Sequence, residues 1–139
     1  MKTDPVLYPR EDEKQESGCY GGRLILNLIR HETHMIVKKE DARKRTFYGV
    51  DFLLLAHGPK SMVTQMLYKA TDSVPSHAHP NEQSGYVISG KYRIMFSDYD
   101  QLLEAGDSYS IPANIEHSIE IIVPGEVVDF FTPPREDYL

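Results

Sequence analysis

Short apolar runs separated by turn residues fill the chain beyond residue 34, and this spacing constrains the fold more than any other feature. Glycine, proline, asparagine and serine stand between most of the runs, where they supply the backbone angles that chain reversals need. No long amphipathic helix is indicated beyond Gly49. Evenly spaced short strands of this kind predict an all-β sandwich or barrel. The predicted strands are Met35–Val37, Val50–Leu55, Met62–Tyr68, Tyr86–Ser89, Tyr92–Phe96, Tyr109–Ile111, His117–Val123 and Val127–Phe131.

The part of the chain before these runs has a different composition. From Met1 to about Gly18 it is polar, acidic and proline-containing, so little apolar area offsets the entropy of ordering it. Tyr20–Arg30 carries an apolar cluster that is typical of a strand or of one short helix, and periodicity does not decide between them. We expect residues 1–34 to form an N-terminal extension, partly flexible, that packs on the barrel or on a dimer partner. Residues 35–139 are expected to form the single folded domain.

The acidic balance of the chain limits its partners. The formal net charge is −6, whereas nucleic acids and anionic membranes favour dense lysine and arginine surfaces. We therefore expect a small-molecule ligand, no nucleic acid and no membrane. No stretch approaches the roughly 18 apolar residues of a membrane span, and the single cysteine, Cys19, cannot form an internal disulfide. The start of the chain lacks the apolar core of a signal peptide, so the expected location is cytoplasmic.

Two histidines separated by one residue are the first chemical signal. His77 and His79 lie in an extended segment, where residues i and i+2 point to the same face, so both imidazoles can reach one point in space. Histidine pairs at this spacing also occur by chance on exposed strands. The pair alone therefore does not establish a metal site.

A second stretch strengthens the metal interpretation. Gly106 is followed six residues later by Pro112, then by Asn114 and by His117 at the start of a predicted strand. The two stretches together match the HxH…Glu/Gln…Gly and G-x5-P-x-G/N-x2-H motifs, and the chain thus resembles the small single-domain members of the cupin superfamily. The resemblance implies a double-stranded β-helix, or jelly-roll, barrel that holds one divalent transition metal inside. The ligand positions of the motifs fall on His77, His79, Gln83 and His117.

The fourth ligand position departs from the usual pattern of the superfamily. Glutamate is usual there, whereas this chain has Gln83 with Glu82 beside it. A strand places neighbours on opposite faces, so only one of the two points inward without a bulge. The resemblance implies Gln83, because its distance to Gly90 is the one that the pattern of the superfamily requires. A neutral amide leaves the ion more electrophilic towards an anionic substrate. Three imidazoles and one oxygen suit Zn, Fe, Ni, Mn or Cu, and the sequence does not choose among them.

The end of the chain carries a second resemblance. Residues 127–138 have the D-x-F-x-P-x-R pattern of KdgF-like small cupins, which are associated with pectin degradation. This resemblance implies Asp129 as an acid/base, Phe131 as a wall of the substrate pocket, and Arg135 as a clamp for a carboxylate. A planar guanidinium suits bidentate carboxylate binding. The structural alternatives are that Asp129 satisfies a turn, Phe131 belongs to the core, and Arg135 pairs with an acid on the surface.

These resemblances imply a metal-dependent enzyme of the isomerase or lyase type. Its substrate would be a small organic anion such as an unsaturated sugar acid, and the ion would act as a Lewis acid during proton transfer next to a carbonyl or enol. Two alternatives stay open: an Fe-dependent dioxygenase on the same ligands, and a non-catalytic module that binds a small ligand. The resemblance also implies a homodimer, in which exposed sheet edges or Tyr20–Arg30 pack across the interface.

Overall fold

A computed structural model of the chain describes residues 34–139. Within this range the regular structure is almost entirely β, apart from short 3₁₀ helices at Lys39–Asp41 and Glu136–Tyr138. The strands are β1 (Arg43–Phe47), β2 (Val50–His57), β3 (Met62–Tyr68), β4 (Ser73–His77), β5 (Glu82–Val87), β6 (Lys91–Phe96), β7 (Tyr99–Glu104), β8 (Ser108–Ile111), β9 (His117–Val123) and β10 (Gly125–Thr132).

The strands form two antiparallel sheets. One sheet has six strands in the order β1-β2-β3-β10-β5-β8, and the other has four in the order β4-β9-β6-β7. Consecutive strands β4 and β5 lie in different sheets, as do β9 and β10, so the chain crosses between the sheets in the manner of a jelly roll. The prediction of an all-β jelly-roll barrel is confirmed.

Alternating burial along the strands builds the core between the two sheets. In β3 every second side chain, starting from Met62, is buried, and β2 follows the same pattern up to Leu54. A strand points successive side chains to opposite faces, so this alternation places one row of each strand inside the barrel. The buried apolar side chains are Val50, Phe52, Leu54, Met62, Met66, Tyr68, Val74, Val87, Tyr92, Ile94, Ile111, Ile119, Val127, Phe131 and Tyr138.

Two turns show why their residues suit the positions. Tyr48 and Gly49 join β1 to β2 with φ angles of 48° and 81°, the left-handed conformation that a two-residue hairpin turn requires. Asn114 lies in the turn between β8 and β9 with a φ of 64°, which asparagine tolerates better than most residues. Its backbone N–H donates to the carbonyl of His79 at 2.8 Å. This turn therefore joins the two stretches that carry the histidines.

The structure corrects the strand predictions at four places. The predicted strand Met35–Val37 is wrong: this segment has no regular structure, and Met35 and Ile36 are 67% and 83% exposed. Strands β1, β4 and β7 were not predicted. The expectations for residues 1–33 lie outside the described residues. Within residues 34–139, no helix has the length and hydropathy required to cross a membrane.

Candidate metal centre

Three histidines converge inside the barrel. His77 ends β4, His117 begins β9 opposite it in the β4–β9 register, and His79 lies in the connection between β4 and β5. One ligand nitrogen from each of the three lies within 4.8 Å of the others. His79 and His117 are buried, and His77 is half-buried. We refer to these three residues as the histidine cluster.

Backbone carbonyls fix the tautomer of each imidazole in the cluster. The Nδ1 of His77 donates to the carbonyl of Pro75 at 2.9 Å, and that of His117 donates to Ile115 at 2.8 Å. The Nδ1 of His79 donates to Asn81 at 2.9 Å. A carbonyl oxygen only accepts, so Nδ1 carries the proton in each ring, and each Nε2 presents a lone pair. Metal-bound histidines are oriented by such outer hydrogen bonds.

Burial keeps these rings neutral. It lowers the pKa of all three histidines below the ordinary value, because removal from water penalises the charged imidazolium. The neighbouring rings and Arg135 lower the pKa of His77 and His117 further, since like charges disfavour protonation. Neutral imidazole is the form that binds a metal ion.

Two contacts show that the cluster fits a cation. The Nε2 of His117 is buried and has no hydrogen-bond partner, a situation that typically costs ~1–3 kcal/mol. The Nε2 of His79 faces the Oε1 of Gln83 at 3.1 Å. With Nδ1 protonated, both of these atoms are acceptors, and a cation between them would relieve their repulsion. Three imidazole nitrogens and one amide oxygen are donors that a divalent transition metal accepts.

A hydrogen-bond network orients the Gln83 amide. Gln83 is buried in β5, and its Nε2 donates to the Oδ1 of Asp129 at 3.0 Å. The same carboxylate oxygen accepts a hydrogen bond of 2.6 Å from the hydroxyl of Tyr109. Because the amide nitrogen is held by Asp129, the amide oxygen is turned towards His79. Glu82 beside it is exposed, as the alternation along a strand requires.

Asp129 is a buried carboxyl group with a raised pKa. It lies in β10 and is 2% exposed. Burial raises its pKa from the ordinary 3.8 to about 6, while hydrogen bonds from Tyr109 and Gln83 and the charge of Arg135 act in the opposite direction. A carboxyl group with a pKa near neutral can both donate and accept a proton under physiological conditions.

Arg135 is buried in an aromatic cage and carries its own carboxylate partner. Its guanidinium carbon lies 4.1 Å from the ring centre of Tyr138, 4.6 Å from that of Phe47 and 5.5 Å from that of Phe131. Its Nε and Nη2 donate to the two carboxylate oxygens of Asp137 at 3.1 and 2.6 Å. The guanidinium is 5% exposed, whereas the side chain of Asp137 is 57% exposed. The bidentate geometry expected for a carboxylate ligand is thus formed with an internal acid.

Two cavities flank Arg135. The inner cavity has a volume of about 10 Å³, room for roughly one water molecule, and is lined by His77, Gln83, His117, Asp129 and Phe131 among others. The outer cavity has a volume of about 400 Å³ and is lined by residues 78–81 and 133–137. Arg135 lines both cavities. Arg135, in the C-terminal segment of residues 133–139, therefore lies between the two cavities. Asn81 holds this segment by donating to the carbonyls of Pro133 and Pro134.

The predicted site residues thus lie together, and the structure adds others. His77, Gln83, His117, Asp129, Phe131 and Arg135 all line the inner cavity, and His79 contacts Gln83 from the side of the outer cavity. Their roles stay predictions. Sequence reasoning missed Tyr109 and Asp137, because their contacts depend on strand register and on the path of the C-terminal segment. The D-x-F spacing gave no signal for either residue.

Comparison with known proteins agrees with this architecture. Residues 64–131 match the Cupin_2 family model, described as a cupin domain. No curated protein sequence matches the chain. Among solved structures, an RmlC-like cupin from Shewanella frigidimarina NCIMB 400 superimposes with a TM-score of 0.71 at 23% identity, covering 77% of this chain and 97% of that one.

Two further structures share the fold. The structure of KdgF from Halomonas sp. superimposes with a TM-score of 0.68 at 23% identity, covering 75% of this chain and 99% of that one. The DMSP lyase DddQ from Ruegeria pomeroyi DSS-3 has a TM-score of 0.62 at 15% identity, covering 70% of this chain and 59% of that one. These similarities show the fold.

Proposed function

We propose that this chain, in which residues 64–131 match the cupin domain model, is a metal-dependent enzyme that acts on a small organic anion of the sugar-acid class. The proposed reaction is an enol-to-keto isomerisation. One proton leaves an enol oxygen and one proton is added to the neighbouring carbon, so the step needs neither an oxidant nor a reductant. The resemblance of residues 127–138 to KdgF-like cupins suggests the substrate class.

One observation carries the proposal. A carboxyl group with a pKa raised to about 6 lines the same inner cavity as two histidines of the cluster and Gln83. Proton transfer next to a carbonyl requires a group that exchanges a proton near neutral pH and a cation that stabilises the developing oxyanion. Asp129 can supply the first, and the cluster can hold the second.

Metal binding, proton transfer and exclusion of water would fall to different residues. His77, His79, His117 and Gln83 would hold the ion, which when bound supplies Lewis-acid stabilisation of negative charge on a substrate oxygen. Asp129 would take the enol proton and return a proton to carbon. Phe131, 1% exposed and lining the inner cavity, would keep water away from the reacting atoms.

Arg135 would bind the carboxylate of the substrate. Its two donors already hold the carboxylate of Asp137, which is exposed at the outer cavity. A substrate carboxylate that reaches the outer cavity could replace Asp137 on the guanidinium with the same bidentate geometry. Since the inner cavity has room for roughly one water, the C-terminal segment would have to move when a sugar acid reaches Asp129.

The experiment compares metal content, substrate loss and oxygen uptake in one preparation. The protein is stripped with a chelator, reloaded separately with Zn²⁺, Fe²⁺, Ni²⁺, Mn²⁺ or Cu²⁺, and incubated with unsaturated uronates while their ultraviolet absorbance is followed. We expect the absorbance to fall without oxygen uptake for at least one metal. Asp129→Asn should abolish this loss, whereas the matched change Asp51→Asn, at an ion-paired position outside the cavities, should leave it intact.

Other outcomes would contradict the proposal. Stoichiometric oxygen uptake with the Fe²⁺ form would favour the dioxygenase. Tight uronate binding without turnover for every metal would favour a binding module. The predicted homodimer and the cytoplasmic location stay predictions, since the structure describes one chain.

A further inference from the structure

A tyrosine outside the predicted site reaches it across a neighbouring strand. In the six-stranded sheet Asp129 of β10 pairs with Gly85 of β5, and Gly85 pairs with Tyr109 of β8. The three residues therefore form one row across three strands. Side chains in such a row share a face of the sheet.

Gly85 makes this reach sterically feasible. A methyl group built at Gly85 would overlap the ring of Tyr109, because the ring lies directly over the glycine. With no side chain between them, the hydroxyl of Tyr109 extends across β5 to the Oδ1 of Asp129 at 2.6 Å. A hydroxyl-to-carboxylate bond of this length belongs to the strong, charge-assisted class.

The strand neighbour of Asp129 on the side away from Gly85 makes no hydrogen bond with it. Thr64 of β3 pairs with Asp129 on the other side of the row and is fully buried. The Oγ1 of Thr64 makes no hydrogen bond. Tyr109 and Gln83 are therefore the side chains that donate to Asp129, and both donate to the same oxygen.

A series of contacts connects Tyr109 to the histidine cluster through Asp129 and Gln83. The hydroxyl of Tyr109 is the donor in its 2.6 Å contact with the Asp129 carboxylate, since a carboxylate oxygen accepts. Its hydrogen bond holds one carboxylate oxygen of Asp129 in position to accept from the Gln83 amide. The held amide nitrogen leaves the amide oxygen facing the Nε2 of His79.

We propose that Tyr109 is a positioning residue of the metal centre: through Asp129 it fixes the Gln83 amide with its oxygen towards the ion. The inference rests on the proposed metal site and adds a residue that neither spacing nor the family motifs indicate. Loss of an outer hydrogen bond of this kind typically weakens metal binding by about 10–100-fold. A purely structural hydrogen bond would instead lower stability and leave metal affinity unchanged.

Titration with Co²⁺ separates these two roles, because its visible absorption reports coordination directly. We expect Tyr109→Phe to weaken Co²⁺ binding by about tenfold or more and to change the visible spectrum. The matched control is Tyr92→Phe. Tyr92 is buried and donates to the carbonyl of Ser89 at 2.8 Å. Loss of this hydrogen bond in Tyr92→Phe should lower the melting temperature without changing Co²⁺ affinity.

A double-mutant cycle tests whether Tyr109 acts through Gln83. Gln83→Ala alone should weaken Co²⁺ binding, and adding Tyr109→Phe to it should have little further effect, because the group that Tyr109 positions is gone. Additive losses would overturn the inference. So would an unchanged Co²⁺ affinity in folded Tyr109→Phe protein.

If the Tyr109→Phe protein does not fold, a second pair of variants tests the same inference. In Asp129→Asn the side-chain oxygen can still accept from both donors, so Co²⁺ affinity should stay within about threefold of the wild type, whereas Asp129→Leu should weaken it by about tenfold or more. Equal affinities in these two variants would refute the positioning network. Wild-type protein that binds no Co²⁺ would overturn the metal centre itself and this inference with it.

Discussion

Replacing Asp129 by asparagine should stabilise the metal-free protein and abolish its proposed activity. Burial raises the pKa of Asp129 from 3.8 to about 6. Each pKa unit is worth about 1.4 kcal/mol, so the carboxylate form destabilises the fold by about 3 kcal/mol at pH well above 6. Asparagine removes that charge and keeps an oxygen that can accept from Tyr109 and Gln83.

The sign of the effect follows from linkage. Because the folded pKa of Asp129 is raised, the contribution of this residue to stability is fully present below the unfolded value and is lost as the pH rises through about 6. The advantage of Asp129→Asn in the free energy of unfolding should therefore grow by about 2–3 kcal/mol between about pH 4 and about pH 8. The three histidines titrate identically in both proteins, so their contribution cancels in the difference.

Urea unfolding of chelator-treated protein at several pH values measures this difference. Asp51→Asn is the control of opposite sign. Hydrogen bonds from Lys69 and Lys44 lower the pKa of Asp51, so its contribution is present above the ordinary value and lost as the pH falls. Loss of Asp51 should thus lower stability at neutral pH. A stability difference for Asp129→Asn that is negative or independent of pH would refute the reasoning.

Three further changes probe the surroundings of the cluster. Gln83→Glu adds a negative charge and should tighten Zn²⁺ binding by about tenfold in a competition assay with a chromophoric chelator; equal affinity would count against Gln83 as a ligand. Asp137→Asn removes the internal carboxylate that competes for Arg135. Calorimetry should therefore show galacturonate binding up to about fivefold tighter, which corresponds to the free energy of an exposed ion pair. Unchanged galacturonate affinity would argue against Arg135 as the carboxylate site. Gly85→Ala should lower the free energy of unfolding by about 1–3 kcal/mol because its methyl group displaces the Tyr109 ring, and a stability equal to that of the wild type would contradict the packing described at this position.

Elements with strong alternation could be predicted from the sequence. Met62–Tyr68 was predicted with the bounds of β3, where every second side chain is buried and all of these except Thr64 are apolar. Strand β7 lacked this signal, since most of Tyr99–Glu104 is exposed on both faces. Strand β4 is short and polar and contains Pro75. A strand can be predicted from sequence when one of its faces is buried, because apolar and polar residues then alternate along it.

The candidate ligands could be predicted for a different reason. Spacing along the chain fixes which side chains share a face, so the histidine pair followed from local geometry. Gln83 and His117 were assigned from the motifs of the cupin superfamily. The contact between Tyr109 and Asp129 requires the order β10-β5-β8 and a glycine in the middle strand. Such an arrangement is a property of the sheet, and it is absent from any single segment of sequence. The pairing of Arg135 with Asp137 likewise depends on the turn of the last 3₁₀ helix.

The most direct test of the metal centre is elemental analysis of the protein purified without added metal, together with His77→Ala, His117→Ala and, as a control outside the cluster, His34→Ala. We predict about one divalent transition-metal ion per chain in the wild type and in His34→Ala. The two cluster variants should lose most of the metal while circular dichroism still shows a folded β protein. Full metal occupancy in both cluster variants, or a wild-type protein that binds none of the divalent metals offered, would contradict the assignment.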